Sequence, residues 1–219
     1  GFGLFTLMLL LACKANPKKE DKQSESTQIQ ATDSRGKTVK LSKIATRVVV
    51  LFEPMVDEIY MLGAEQTLVG IPNQVYLNQS SYHFLSKLDQ RIKSKQIPTP
   101  TFGGNSSNLE SIIASQPDLV IVYQQDRETI TQLEELGIPA FTVSSLNKEA
   151  ILAELLGVGK LLGKEGRAQE IIVYIEDKIK AHDKASFVDI PKKVYYAWSK
   201  GRILSTSGKG TLTEMAIEL

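Results

Sequence analysis

Apolar positions along this chain change their period several times, and each change marks an element. Arg47-Val-Val-Val-Leu-Phe52 is a continuous β-branched apolar run, the pattern of a strand covered on both faces of a parallel sheet. Met55, Ile59 and Leu62 then fall on one helical side, and Gly63 ends that helix. Leu68-Val-Gly-Ile71 returns as a strand. Beyond a polar stretch, the spacing predicts a helix over Asn108–Ser115, a strand over Asp118–Tyr123, a helix over Arg127–Leu136 and a strand over Ala140–Val143. Strands alternating with helices in this order make an α/β layer with a parallel sheet and right-handed crossovers.

The texture changes at Lys148. Two helices are predicted, Lys148–Leu162 and Gly166–His182, with Ile151, Leu152, Leu155 and Leu162, then Ile171, Ile172, Ile175 and Ile179, recurring at three and four. Gly163-Lys-Glu-Gly166 separates them as a stop and restart. After Asp189-Ile-Pro191, Val194-Tyr-Tyr-Ala-Trp198 reads as a new strand, followed by a turn at Gly201-Arg, then Ile203-Leu204 and the glycine-rich Ser207-Gly-Lys-Gly-Thr211. Leu212–Leu219 reads as the first turns of an amphipathic helix without a cap or an element to cover it, so a second lobe is expected to be truncated here.

The start of the chain follows a different logic. Phe2 to Ala12 is an apolar run about half as long as the roughly 20 residues a membrane-crossing helix needs, which suits the apolar region of a secretory signal. It closes on Cys13, the one cysteine of the protein. Residues 14–28 carry no large apolar side chain and read as a disordered tether. A cysteine between two such stretches reads as an anchor point rather than as a small buried hydrophobe. The chain begins without methionine or the basic segment that precedes such a run, so its true start is expected to lie further upstream.

Composition narrows the function. About 190 residues remain for one large domain or one and a half small ones, and 42% hydrophobic residues suffice for a packed core. A formal net charge of +1 with interspersed signs offers no basic stripe for nucleic acid. With one cysteine, an exported protein must hold together without disulfides. Two histidines, His83 and His182, lie too far apart to suggest a histidine-built metal site, and no cofactor is expected. Ser207-Gly-Lys-Gly-Thr211 fails as a phosphate loop, because Ile203 stands where a glycine is needed and Gly210 where a serine or threonine is needed. No Gly-x-Ser-x-Gly elbow, Cys-His pair or His-Glu-x-x-His helix occurs, so an enzyme is not expected.

Several segments together carry a family resemblance. Leu10-Leu-Ala-Cys13 resembles the bacterial lipobox, which implies diacylglycerol on Cys13 after signal cleavage. Thr32-Asp-Ser-Arg-Gly-Lys-Thr-Val39, Arg47-Val-Val-Val-Leu51, Leu62-Gly-Ala64, Val69-Gly-Ile71, Asn108-Leu-Glu110, Gln116-Pro-Asp-Leu-Val-Ile121, Leu136-Gly-Ile-Pro139 and Leu161-Leu-Gly-Lys164 follow one another as in the helical-backbone (class III) substrate-binding lipoproteins. Those proteins serve ABC importers of ferric siderophores, haem and cobalamin. The resemblance implies two Rossmann-like lobes joined by one long helix, placed here at Gly166–His182, with ligand in the cleft between lobes. The expected division is a signal and lipobox over 1–13, a tether over 14–28, a first lobe over 29–146, a helical segment over 147–188 and the start of a second lobe over 189–219. It further implies a monomer that docks on a permease with its ATPase, and a location outside the cytoplasm, at the outer face of the cytoplasmic membrane.

In that family a first-lobe glutamate of the Asn-Leu-Glu motif docks onto permease arginines, which here is Glu110. Ser107-Asn-Leu-Glu110 also reads as a capping box, compatible with an exposed carboxylate. Ligand candidates are aromatic and polar groups after strands. They are Phe52 and Glu53, then Tyr76, Tyr82 and Phe102, then Tyr123 with Gln124, then Trp198 and Arg202. Trp198 suits stacking on a macrocycle or catecholate ring, and Arg202 suits an anionic iron chelate. Iron would arrive chelated, so no protein ligands to metal are required. Lys87, Arg91, Lys93 and Lys95 in Tyr76–Pro100 read as a solvated helix face rather than as ligand-attracting groups. The ligand order expected is ferric siderophore, then haem or cobalamin. A nickel chelate, an oxyanion, or a surface lipoprotein's macromolecular partner stays open as an alternative.

Overall fold

The computed structural model of the chain describes residues 28–101, 107–185, 195–200 and 203–218. Cys13, Phe102 and Arg202, and all but the last residue of the expected tether, lie outside the described residues.

Strands β1 (Ile29–Thr32) and β2 (Thr38–Leu41) pair antiparallel. The turn between them is organised by Asp33, which accepts from the backbone N–H groups of Arg35 and Lys37 and from the Arg35 guanidinium at 2.8 Å. Burial works against that carboxylate, but the Arg35 side chain and the backbone donors outweigh it and hold Asp33 below the usual carboxylate range.

The main sheet contains β3 (Val48–Val50), β4 (Leu68–Gly70), β5 (Leu119–Tyr123) and β6 (Ala140–Val143), all parallel, in the order β4-β3-β5-β6. Successive residues of each strand feed opposite faces. Val48, Val50, Leu119, Ile121, Phe141 and Val143 enter one core, whereas Val49, Val120, Val122 and Ala140 enter the other. The first core is closed by α1 (Glu53–Met61), α7 (Lys148–Leu161) and the start of α8 (Glu165–Ala185). Ile112 of α5 (Leu109–Ala114) and Ile130 and Leu133 of α6 (Arg127–Glu135) close the second. Two covered faces explain why the strands read as unbroken apolar runs.

Between β4 and α5 run three short helices, α2 (Gln74–Leu77), α3 (Gln79–Leu88) and α4 (Gln90–Lys93). The basic residues there are not all solvated. The Arg91 guanidinium donates to Asp89 at 2.7 Å and to the Glu65 carbonyl at 2.7 Å, which makes it part of the framework, while Lys87, Lys93 and Lys95 are exposed.

Helix α5 begins one residue later than its capping-box reading requires. Asn108 is the N-cap and accepts from the Ser111 N–H at 3.1 Å, whereas Ser107 donates its hydroxyl to Asp126 at 3.1 Å. With Asn108 as the cap, Glu110 stands at the second helical position, one too early to close a capping box. Its side chain is exposed and makes no hydrogen bond or ion pair among the described residues.

The expected strand Val194–Trp198 also differs. The ladder starts at Trp198: β7 (Trp198–Lys200) pairs antiparallel with β8 (Ile203–Ser205), and α9 (Leu212–Glu218) follows. Val194 lies outside the described residues; Tyr195, Tyr196 and Ala197 have strand-forming side chains but no ladder partner among the described residues, and a strand is made by pairing rather than by propensity. Among the described residues no helix is long and apolar enough to cross a membrane.

Helix α7 packs through two glycines. A Cβ on Gly157 would meet the Phe141 ring at 2.7 Å, and one on Gly159 would meet the Ala168 Cβ at 2.7 Å, so these positions set how closely α7 approaches the sheet and α8. Gly163, with φ of 66°, supplies the left-handed residue that ends the helix. Helix α8 is 21 residues long, or about 32 Å. It seats Ala168 and Ile171 in the core, while Val173 and Tyr174 face outward. Substituting Gly159→Ala improves helix propensity by about 1 kcal/mol but overpacks the α7–α8 contact by about 2–3 kcal/mol. The expected outcome is a lower urea midpoint at unchanged m-value, and an unchanged or higher midpoint contradicts the close packing.

Candidate functional site

The sheet order places a topological switch point between β3 and β5. From β3 the chain crosses to β4 on one side, and β5 returns on the other, which leaves a crevice beyond the carboxyl ends of the two central strands. Phe52 follows β3 and Tyr123 ends β5. Their rings stack across the crevice with centroids 4.7 Å apart and planes 11° from parallel. Both side chains are half-buried, so the pair presents an aromatic platform with an open edge.

Polar groups frame this platform. Glu53, the first residue of α1, accepts from the Ser81 hydroxyl at 2.6 Å and from the Asn78 amide at 3.3 Å, which ties the platform to the start of α3. On the other side Asp126 accepts from Ser107 and from the Thr129 N–H, so the approach to α5 and the start of α6 meet at one carboxylate. Gln124 follows Tyr123 and lines a cavity of about 630 Å³ with Gln125, Arg127, Thr131, Arg35 and Glu134. Sequence reasoning marked Ser107 only as a helix cap and Arg127 only as a helix start and did not single out Asp126, because their meeting depends on residues distant in sequence. Glu110, in the first turn of α5, is exposed.

The other candidates lie elsewhere. Tyr76 and Tyr82 form an edge-to-face pair 6.2 Å apart, and each spends its hydroxyl on a backbone carbonyl, Ile97 at 3.1 Å and Lys93 at 3.0 Å. Lys95 lies over both rings, at 5.9 and 5.5 Å. The two tyrosines pack against the first core and are linked to the platform through Ser81, the residue before Tyr82, and Asn78, both of which bond Glu53. Trp198 is half exposed on β7 and stands outside the cavity of about 680 Å³ that Tyr195, Tyr196, Ser205, Lys209, Glu214 and Ile217 help to line. The structure thus brings Phe52, Glu53 and Tyr123 together, keeps Tyr76 and Tyr82 as a neighbouring cluster, and leaves Trp198 on its own hairpin.

A second group of carboxylates lies beneath the surface. Glu58 of α1 is buried with its Oε2 unpartnered, and Glu154 of α7 is buried while accepting from Ser144 and Ser145. Burial first, then the neighbouring Glu154 and Asp57, push the Glu58 carboxyl up to about 8. Burial and then Glu53 raise Asp57 as well. The signal for these residues was present in the sequence. Glu58 falls three after Met55 and four before Leu62, and Glu154 three after Ile151 and four before Val158, which are apolar-face positions occupied by a charge. Among the described residues no group of three or more metal-ligating side chains occurs.

Solved structures share this fold. A periplasmic solute-binding protein from Veillonella parvula superposes with a TM-score of 0.65 at 24% identity, covering 74% of this chain and 50% of its own. The siderophore-binding protein BauB, solved with two acinetobactin molecules and ferric iron, gives 0.64 at 21% identity over 84% of this chain and 63% of its own. The haem-binding protein RhuT from Roseiflexus sp. RS-1, in apo form, gives 0.62 at 22% identity over 80% and 63%. The chain thus spans about half to two-thirds of the length of these relatives. No curated protein matches. At these identities the likeness shows the fold, and the assignment comes from the sequence itself: residues 48–216, running from β3 into α9, match the periplasmic binding protein family, to which this chain belongs.

Proposed function

We propose that this protein is the extracytoplasmic capture component of an ABC importer, binding a metal chelate between two lobes and delivering it to a permease and its ATPase. The chelate is a ferric siderophore in first place and haem or cobalamin in second. The observation that carries the reading is the Phe52–Tyr123 stack at the switch point, where an open sheet of this kind receives its ligand. A flat π-surface with an open edge suits a catecholate ring or a macrocycle, and polar groups beside it fix orientation. In this reading residues 29–146 form the first lobe, α8 within 147–188 is the connecting helix, and residues 189–219 begin the second lobe. Trp198 and Arg202 would then face the platform from across the cleft, with Tyr76, Tyr82 and Phe102 at its rim. Siderophore and haem proteins among the structural relatives support the ligand class.

The experiment is a titration of the full-length protein by Trp198 fluorescence with ferric siderophores, haem, cobalamin, nickel chelates and molybdate. Saturable quenching by one chelate class at micromolar concentration or below is expected, with Trp198→Phe as the absorbance control. Phe52→Ala and Tyr123→Ala should each weaken that binding about tenfold, a loss of about 1.4 kcal/mol, with thermal midpoints that stay close to the parent. Silence across the chelates in a folded protein overturns the reading in favour of an oxyanion or a macromolecular partner.

Docking and anchoring follow from separate residues. Glu110 is exposed and has no partner among the described residues, so Glu110→Arg should leave folding and ligand affinity unchanged while abolishing co-purification with the cognate permease. Retained complex formation removes Glu110 from the docking surface. Cys13 is proposed to carry the lipid, and Cys13→Ser should move the protein from the membrane fraction to the soluble one. An unchanged distribution contradicts a lipid anchor at that position.

A further inference from the structure

Helix α3 carries more apolar surface than the core uses. Leu85 is buried and Tyr82 is half-buried against the first core. Phe84 and Leu88 stand four residues apart, neighbours on one flank of the helix, and are 58% and 59% exposed. Leu77, the residue before the N-cap Asn78, is 72% exposed. Single apolar residues in solvent are ordinary, whereas three large ones on one short excursion from the sheet make a patch.

The same excursion is positively charged. Between Leu68 and Thr101 the sequence holds Lys87, Arg91, Lys93 and Lys95 against one acid, Asp89, in a chain whose formal net charge is +1. Asp89 is spent on Arg91 and on the Tyr60 hydroxyl. Glu53, the acid bonded to the start of α3, is occupied by Ser81 and Asn78. Lys95 lies over the Tyr76 and Tyr82 rings, and Lys87 and Lys93 form no ion pair among the described residues. Lys87 stands three after Phe84 and directly before Leu88, so an uncompensated ammonium group flanks the apolar pair. Helix α4 packs against α3 and adds Lys93.

We propose that this face of α3 is a contact for an anionic phospholipid surface, which rests on the proposed extracytoplasmic, tethered setting and holds the lobe with its crevice side towards the membrane. Phenylalanine and leucine beside lysines are the side chains of an interfacial helix: the apolar groups enter the headgroup boundary while the ammonium groups stay with the phosphates. A protein partner fits less well. Protein interfaces favour arginine and are depleted in lysine, and the arginine of this excursion is built into the framework. Ser81 sets the orientation, since it precedes Phe84 by three and Leu88 by seven, shares their flank, and bonds Glu53 just beyond the carboxyl end of β3. The fifteen residues between Cys13 and β1 span at most about 50 Å. A lipid on Cys13 therefore keeps this face within reach of the bilayer, where a contact that is weak by itself suffices.

Flotation with vesicles at millimolar lipid tests the contact, using the complete mature protein beginning at Cys13 and carrying Cys13→Ser, so that no attached lipid contributes. The protein should float on phosphatidylcholine containing about one-third phosphatidylglycerol and stay behind on pure phosphatidylcholine, and added salt should release it. Phe84→Gln combined with Leu88→Gln should lower the partition about tenfold, and Lys87→Gln and Lys93→Gln about fivefold each, with thermal midpoints close to the parent. Absence of the folded parent from anionic vesicles overturns the proposal, as does equal flotation on the two lipids or by parent and variants. A parent that does not float, with permease co-purification lost in the Phe84→Gln, Leu88→Gln variant, assigns the face to a protein partner and overturns it too. Chelate titration by Trp198 fluorescence reads the capture function separately: a protein that binds chelate without floating loses only the lipid contact, and one that floats without binding chelate loses only the capture reading.

Discussion

The backbone of β3 hydrogen-bonds to β4 on one side and β5 on the other, while Val48, Val49 and Val50 have no exposed surface. Other features of the lobe depend on that doubly flanked position. A strand paired on both edges and covered on both faces has to be apolar throughout, and its two neighbours have to be reached by crossovers in opposite directions. The crevice beyond its end follows from that geometry. Register is fixed at the opposite end of the strands. Asp118, just before β5, accepts from the Thr46 and Arg47 N–H groups at 2.9 Å each, and from the Thr46 hydroxyl at 3.0 Å. The Arg47 side chain returns two bonds to the carbonyls of Ser115 and Gln116. A one-residue slip between β3 and β5 would break this clamp and turn each valine towards the wrong core.

The same register places Phe52 opposite Tyr123. Neither ring would present a face alone: Phe52 is the residue that turns the chain from β3 into α1, and Tyr123 is the last residue of β5. Their stacking is a consequence of parallel pairing between the strands that carry them. Glu53 then joins the platform to α3 through Ser81, so the first turn of α1 is braced by an element that belongs to the β4 side of the sheet. Binding surfaces built on strand ends in this way are held by the rigid part of the molecule.

Close helix packing and buried charge meet in α7. Gly157 and Gly159 give up helix propensity so that the helix can approach Phe141 and Ala168. Glu154, on the same helix, is buried at 4% exposure and is compensated by backbone donors of the turn it holds. Glu58 is buried at 8% exposure without that compensation, which is why its proton is retained so far above the usual range. Tertiary packing supplies the stability that these local choices give up.

Periodicity and composition in the sequence determine the alternation of strands and helices, the helix-ending glycines, the apolar stripes and the absence of familiar catalytic motifs, because these are properties of neighbours along the chain. Strand ends agree to within a residue or two at β3, β5 and β6, where burial on both faces leaves no choice of pattern. Legibility fails where a partner distant in sequence decides. Ser107 leaves its expected cap for Asp126, Tyr195–Ala197 find no ladder partner among the described residues, and Arg91 serves Asp89 and the Glu65 carbonyl instead of solvent. The sequence alone marks Phe52, Glu53 and Tyr123 as strand-end candidates. Only the sheet order brings them to one crevice, and only helix packing turns Glu58 and Glu154 from two charges on apolar faces into buried carboxyl groups, since desolvation arises when distant segments exclude water together.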